Sequence, residues 1–530
     1  NITRGYYPGR GKSFGTIAYK DLMNKYTGYA TWLAQNKPVI GDTKTNLASA
    51  YFAITYTYND RYTLNFNTRM DASNQFGSRS NEKLLPIWSV SGRWDVKKDL
   101  FANSAFVNDL ALKLSYGIQG NMLDNQTSKM IINQGGLDNW YNEFSYTIAY
   151  YPNPKLKWET THSYNAEINF SLWKNKIGGS VSYYYKRTKD AFLTKSISDI
   201  NGRTQYTVNQ GELTNQGVEV SLNIVPINQK IDASGRRGFV WRIDPQIGQV
   251  VNSLISKAID NRDNVLRDEI KYSDYLNGTA QLLDKPLNTF FSYRFKGLSS
   301  KDGSPIYGNL EEELADELYA KYSQMEDEDV FEIVMEESGT RVPTLQGGIS
   351  SYLGYRQFGL SFNFTYSFGN KIRLLKLFGN TSDFPPYGEK NMRREFTRRW
   401  RTPGDEAKTN IPALRTKTVT PWWADSKYTS SGLMPTFAPV DVYQMYDNSS
   451  LRVVKGDYLK LQSLSFRYNV HDKFCKQIGI QAAYLSITGT NLFTIASKKL
   501  KGQDVTQSGA TPTVNMSVRP NYSFTVNVTF

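Results

Sequence analysis

The chain has 530 residues, 39% of them apolar, and a formal net charge of +14. A lone cysteine, Cys475, rules out an intrachain disulfide, and two histidines as far apart as His162 and His471 argue against a histidine-built catalytic or metal centre. The basic residues are scattered rather than clustered, which argues against nucleic acid as a partner. Mean hydropathy is negative, and no segment approaches the roughly 18 apolar residues that a membrane helix needs. A membrane barrel stays open, because it closes its backbone bonds between strands and needs only about ten alternating residues per crossing. The aromatic share, 14% with 36 Tyr, 27 Phe and 10 Trp, fits the girdles of such barrels.

Residues 1–42 lack periodicity and read as a long extracellular loop with a short helical piece near Tyr19–Tyr26. GRGKS at Gly9–Ser13 is not a phosphate loop, since Tyr6 stands where the first glycine is required and no strand precedes it. Alternation then begins. Phe52, Ile54, Tyr56 and Tyr58 share one face, Asn59-Asp60 makes a tight turn, and Tyr62, Leu64 and Phe66 return. Strands follow over Leu84–Val96, Asp109–Gln119, Lys157–Leu172, Lys176–Arg187, Gly217–Val225 and Phe239–Val250. Phe358–Phe368 alternates strictly, Asp457–Val470 changes parity between Leu461 and Leu464 as a β-bulge would, and Ile480–Thr490 precedes the closing strand Asn521–Phe530.

The pattern gives roughly thirteen strands, most of ten or more residues, longer than the usual five or six of globular proteins. Connections alternate between brief (Asn59-Asp60, Trp173–Lys176, Tyr355–Gln357, His471–Gly479) and very long (Gly120–Lys155, Asn252–Thr340, Asn370–Lys455, Lys498–Arg519). Short turns at one side and long loops at the other belong to outer-membrane barrels. The expected fold is therefore all-β, a transmembrane antiparallel β-barrel with long extracellular loops carrying short helices. Lumen-facing polar residues such as Asn363, Thr365 and Thr525 would wet its interior.

Several stretches resemble SusC-like TonB-dependent transporters of Bacteroidetes-type bacteria: Arg61–Gly77, Leu84–Val96, Asn153–Leu193, Asn215–Asn223, Tyr458–Val470, Leu485–Phe493 and the final FTVNVTF, in family order and spacing. The resemblance implies a 22-stranded barrel around a globular plug, so that residues 43–530 would be its C-terminal part. The plug, the TonB-contacting segment and the first strands are expected to lie outside this chain, in another polypeptide or segment. It further implies active import of a nutrient (glycan, oligosaccharide or peptide), a SusD-like surface lipoprotein as lid, TonB as the energy source, no cofactor and no enzymatic step. A scaffold role in a larger outer-membrane assembly is the alternative. Outer-membrane lipid and the barrel-assembly machinery are further expected partners, with the terminal aromatic Phe530 as the assembly signal.

Candidate contact residues lie on the long loops. Trp140, Tyr141, Trp422 and Trp423 could stack on sugar rings or dock a lid, with packing inside the loops as the plainer reading. Adjacent Trp422 and Trp423 cannot both face a core from one helix or strand, which favours contact with a partner, a ligand or another loop for at least one of them. Glu311–Glu337 is strongly acidic, with Leu314, Leu318 and Tyr322 at helical spacing, and reads as an amphipathic helix with a solvated face; it has no Ca²⁺-loop pattern. Asn391–Arg401 (NMRREFTRRWR) is its basic counterpart, a solvated helix able to meet anionic lipid sugars or an acidic partner. Cys475 reads as structural.

Overall fold

The structure is a computed structural model. It describes residues 2–7, 39–44, 47–73, 84–121, 130–137, 141, 143–150, 158–196, 205–229, 238–256, 271–379, 391–414, 419–429, 441–500, 503–506 and 519–530. Thirteen strands form one antiparallel sheet in chain order: β1 (Leu47–Tyr58), β2 (Tyr62–Ser73), β3 (Leu84–Asp95), β4 (Val107–Asn121), β5 (Glu159–Leu172), β6 (Ile177–Ser196), β7 (Gln205–Asn228), β8 (Val240–Gln249), β9 (Leu345–Tyr355), β10 (Phe358–Phe368), β11 (Tyr458–Asn469), β12 (Ala482–Ala496) and β13 (Asn521–Thr529). A fourteenth strand, Val251–Ser256, pairs with β7 beside β8. The strand count, the hairpins and their order agree with the sequence pattern.

The turns explain the hairpins. Asn59 and Asp60 both adopt positive φ, 52° and 53°, the primed turn that matches strand twist, and the Arg61 N–H closes it on the Tyr58 carbonyl at 3.1 Å. Trp173, Lys174 and Asn175 likewise all lie at positive φ between β5 and β6. In β11, Phe364 opposes Leu461 and Asn363 opposes Ser463, so Gln462 is the extra residue of the expected bulge. The bulge keeps Leu459, Leu461, Leu464 and Phe466 on one face despite their change of parity.

One face of the sheet is apolar and open. Row by row it carries Leu64, Gly92, Leu114, Ala166 and Tyr183 on β2 to β6, and Phe466, Ile487 and Phe524 on β11 to β13. Leu64 is 54% exposed, Ile487 56% and Phe524 66%. A continuous exposed surface of this kind far exceeds the patches of water-soluble monomers and suits hydrocarbon. The other face is a polar ladder: Asn363 Nδ2 donates to Ser463 Oγ at 2.7 Å, the Ser465 and Thr488 hydroxyls meet at 2.8 Å, and the Thr161 and Thr188 hydroxyls at 2.8 Å.

β1 and β13 each pair on one side only, so among the described residues the sheet is open. In a meander, alternate connections lie at the same end, so the long ones share an end. The β6–β7 ribbon, 20 and 24 residues long, is well beyond the roughly ten a crossing needs, so its end lies outside the apolar band. Residues 1–42 contain more order than a loop: Ile2–Tyr7 pairs antiparallel with Val39–Lys44, a ribbon concealed in the sequence by its glycines and charges. The expected helix near Tyr19–Tyr26 and the GRGKS stretch lie outside the described residues.

Candidate functional site

Two features could handle a ligand: the polar face of the sheet and the folded long loops at its one end. On the polar face, Asn169, Ser180, Asn223, Arg242, Asp244 and Asn363 bound a groove of about 670 Å³. Arg242 and Asp244 pair at 3.0 Å within it. Asn363, expected to face the lumen, lies there; the groove offers hydrogen-bonding side chains to whatever fills the space.

The connections β8–β9 and β10–β11 interlock into one small domain with a dry aromatic core. From the first come the helix Tyr272–Asn277, the strand Thr289–Tyr293 paired with Met335–Thr340, and the helices Ala315–Tyr322 and Asp327–Val334. The second gives the strand Lys371–Arg373 paired with Val453–Lys455, the 3-10 turns Arg394–Arg398 and Trp422–Ala424, and the helix Val442–Asp447. Tyr275, Tyr293, Tyr322, Phe331, Met445 and Tyr446 are among its most buried members. Polar stitches cross between the two loops: Tyr307 Oη donates to the Val442 carbonyl at 2.6 Å, and Trp422 Nε1 to the Leu310 carbonyl at 3.1 Å.

Arg373 is the central stitch. It is 1% exposed, and it donates to the Leu276 carbonyl (2.8 Å), the Phe291 carbonyl (2.7 Å) and Ser292 Oγ (2.9 Å), with its guanidinium 5.1 Å from the Phe290 ring. Burial pushes its pKa down to about 10, so it keeps its charge at neutral pH. Asp447, also buried, accepts from three successive backbone N–H groups, those of Leu377, Phe378 and Gly379. Burial raises its pKa against the pull of those donors. These groups hold the domain in shape.

The expected contact residues fall out differently. Trp422 and Trp423 are both buried in the loop-domain core, in line with the plainer reading of packing inside the loops. They sit in a 3-10 turn enclosed on more than one side, edge to face with each other at 5.7 Å and with Trp422 edge to face on Tyr428 at 5.3 Å, so neither is an open stacking platform. Tyr141 is 80% exposed between the ribbon strands Ile131–Leu137 and Phe144–Tyr150, and Trp140 lies outside the described residues. Phe530 follows β13 with its ring exposed. The acidic stretch forms two helices rather than one; Tyr322, Val330, Phe331 and Val334 turn inward, whereas Leu314 stays exposed. The basic stretch is a 3-10 turn with Phe396 and Trp400 buried, not a fully solvated helix. Cys475 is buried in the helix Asp472–Gln477. Sequence reasoning missed Arg373 and Asp447, which stand alone in sequence with no motif around them.

Residues 3–299 match the model of the family described as TonB dependent receptor-like, beta-barrel. The chain belongs to this family. It is an outer-membrane β-barrel chain, and the family is one of receptors and transporters, not enzymes. It is similar to TonB-dependent receptor P26 of Formosa agariphila, 24% identical over 457 residues that cover 84% of this chain and 41% of that protein. It is also similar to TonB-dependent receptor SusC of Bacteroides thetaiotaomicron, 26% identical over 317 residues, 57% of this chain and 29% of that one. Its fold matches the RagAB peptide transporter with a TM-score of 0.70 at 18% identity, covering 94% of this chain and 50% of that chain. The family chain therefore spans about half the length of the solved relative, or less than half that of the curated ones.

Proposed function

We propose that this chain is the C-terminal wall and loop domain of a TonB-dependent importer that carries a nutrient, an oligosaccharide or a peptide, across the outer membrane. The observation that carries the reading is the two-faced sheet: an exposed apolar face backs a polar groove, and the long connections fold into a packed domain at one end of it. A hydrocarbon-facing wall with two unpaired edges would leave backbone groups without partners in lipid, so residues 43–530 would close a barrel with strands from outside this chain. A plug then fills the polar lumen, and TonB acts on it. Residues 1–42 form an extracellular segment. A SusD-like surface lipoprotein covers the loop domain, in line with the SusC and RagAB likenesses.

The mechanism is gating without covalent chemistry. Ligand bound beneath the lid favours one of two arrangements of plug and lid, by its difference in affinity for the two. The aromatic strand Asn521–Phe530 serves as the signal for barrel assembly. Deletion of the gene is expected to abolish uptake of one labelled oligosaccharide or peptide class, and loss of TonB function should do the same. Cryo-electron microscopy of the native particle should place a lipoprotein on the loop domain. Unchanged uptake of every class tested, with other outer-membrane components displaced, would make the protein a scaffold instead.

A further inference from the structure

Beside the aromatic core of the loop domain lies a cleft of about 760 Å³ whose charge is one-sided. Six cations line it: Arg398, Arg399, Arg401, Lys408, Arg452 and Lys499. Two carboxylates share the lining, and both are already engaged. Glu395 lies 3.4 Å from Arg452 and 3.6 Å from Arg393. Asp405 accepts from the backbone N–H groups of Thr402 (3.2 Å) and Arg401 (3.1 Å), which hold its pKa below the usual carboxylate range, and it lies 3.7 Å from Lys408.

The cations come from three separate parts of the chain. Arg398 ends the 3-10 turn and Arg399 to Lys408 follow it, Arg452 leads into β11, and Lys499 belongs to the β12–β13 connection. Arg452 forms part of the floor: it is 5% exposed, donates to the Leu375 carbonyl, and lies 5.9 Å from the Tyr446 ring. Arg398 and Lys499 are exposed and make no ion pair among the described residues. The fold thus gathers like charges that repel one another around an open space, an arrangement that an incoming anion relieves. Leu374, Ile411 and Leu451 add an apolar wall.

We propose that this cleft is a recognition subsite for oxyanions, the carboxylate, sulfate or phosphate groups of a soluble oligomeric ligand. Guanidinium groups fit such oxygens in pairs, and the cleft lies against the core of the folded loop domain rather than on the apolar face of the sheet, which favours a soluble ligand over lipid. The proposal deepens the import reading and rests on it for the cleft's purpose; the binding itself is measured apart from transport.

The test uses the protein purified from outer membranes in detergent, with trigalacturonate and neutral maltotriose as calorimetric probes. Trigalacturonate is expected to bind at least tenfold more tightly than maltotriose, with affinity falling as salt is raised. The double variant R398Q/K499Q should lose about tenfold for trigalacturonate while its proteolysis pattern stays that of the parent. Equal affinity for the two probes, or an unaltered double variant, overturns the proposal. Lipopolysaccharide in nanodiscs forms the second arm: binding there that depends on Arg398 and Lys499, with trigalacturonate and a sulfated disaccharide both inert, would also overturn it in favour of a lipid contact. Uptake in cells is scored separately, so anion binding that persists where import fails counts against the import reading alone.

Discussion

The Arg373 guanidinium, carried by the β10–β11 connection, sits 2.7 Å from the Phe291 carbonyl of the β8–β9 connection. With its bonds to the Leu276 carbonyl and the Ser292 hydroxyl, it makes one side chain the fastener between the two loops. Arg373→Met would keep the apolar stem and take the guanidinium donor from the Leu276 and Phe291 carbonyls, while Ser292 Oγ keeps the Ser338 hydroxyl at 2.7 Å. A buried acceptor so abandoned costs about 1–3 kcal/mol, so a loss on the order of 3 kcal/mol is expected, confined to the loop domain. Arg373→Lys should recover only part of it, because an ammonium cannot reproduce the guanidinium fork. Hydrogen exchange should quicken over residues 271–300 while β9 to β12 keep their protection; unchanged exchange over 271–300 would refute the fastener.

Asp447 sets a pH dependence. Its folded pKa is raised by burial, against the pull of the N–H groups of Leu377, Phe378 and Gly379. As pH rises, the unfolded chain ionises this carboxyl first, so the folded domain loses stability between the ordinary carboxylate range and the raised folded value, and is level above it. Asp447→Asn has no such proton. The stability of the parent relative to the variant should therefore shrink from pH 4 to pH 7, measured by thermal melting followed through hydrogen exchange of the loop domain. A difference that grows over that interval would mean that the three N–H donors outweigh burial.

Trp422 separates packing from ligand stacking. Its indole is buried and bonded to the Leu310 carbonyl, so Trp422→Ala should cost about 3–5 kcal/mol of loop-domain stability. Trp422→Phe should cost about 1 kcal/mol for the lost hydrogen bond. Ligand affinity should follow folding in both. If Trp422→Phe removes ligand binding while the melting curve stays in place, the indole contacts ligand after all. Tyr141→Ala, at an exposed ring, should leave stability untouched.

The barrel wall was largely legible because strand alternation is a local property: Phe358–Phe368 and Asn521–Phe530 show their two faces without reference to any neighbour. Even the bulge at Gln462 is visible as a change of parity. The loop domain was not legible, since its core joins residues over a hundred positions apart, as Tyr307 and Val442 do. Arg373 and Lys499 read as ordinary surface charges, one of which the fold buries among carbonyls and the other it brings to a cleft. The two tryptophans pack inside the loops, as their plainer reading has it, because a 3-10 turn enclosed by another loop buries neighbours that a helix or a strand would separate.

Gln462 gives the sharpest test of the sheet. Phe364 opposes Leu461 and Asn363 opposes Ser463, so Gln462 has no partner of its own on β10. Removing it would leave Leu459, Leu461, Leu464 and Phe466 at strict two-residue spacing, each still opposite its present partner on β10. On the other side β12 already carries its own irregularity, with Asn491 at a φ of 55°. Deletion of Ser465 has the same length effect, and the bulge at Gln462 absorbs it only by turning Leu464 inward and Ser463 toward lipid. With the bulge kept, the segment beyond shifts by one residue, turning Phe466 and Tyr468 inward and Arg467 toward lipid. Arg467 lies two residues from the end of β11, where an arginine on the lipid face costs only about 0–1 kcal/mol, so the larger loss is that of the two aromatic rings from that face. Deletion of Gln462 should therefore give near-parental amounts of assembled barrel, and deletion of Ser465 severely reduced amounts, read as the heat-modifiable band in outer-membrane fractions. Equal yields from the two deletions would show that the apolar face of β11 is not what holds this strand in register.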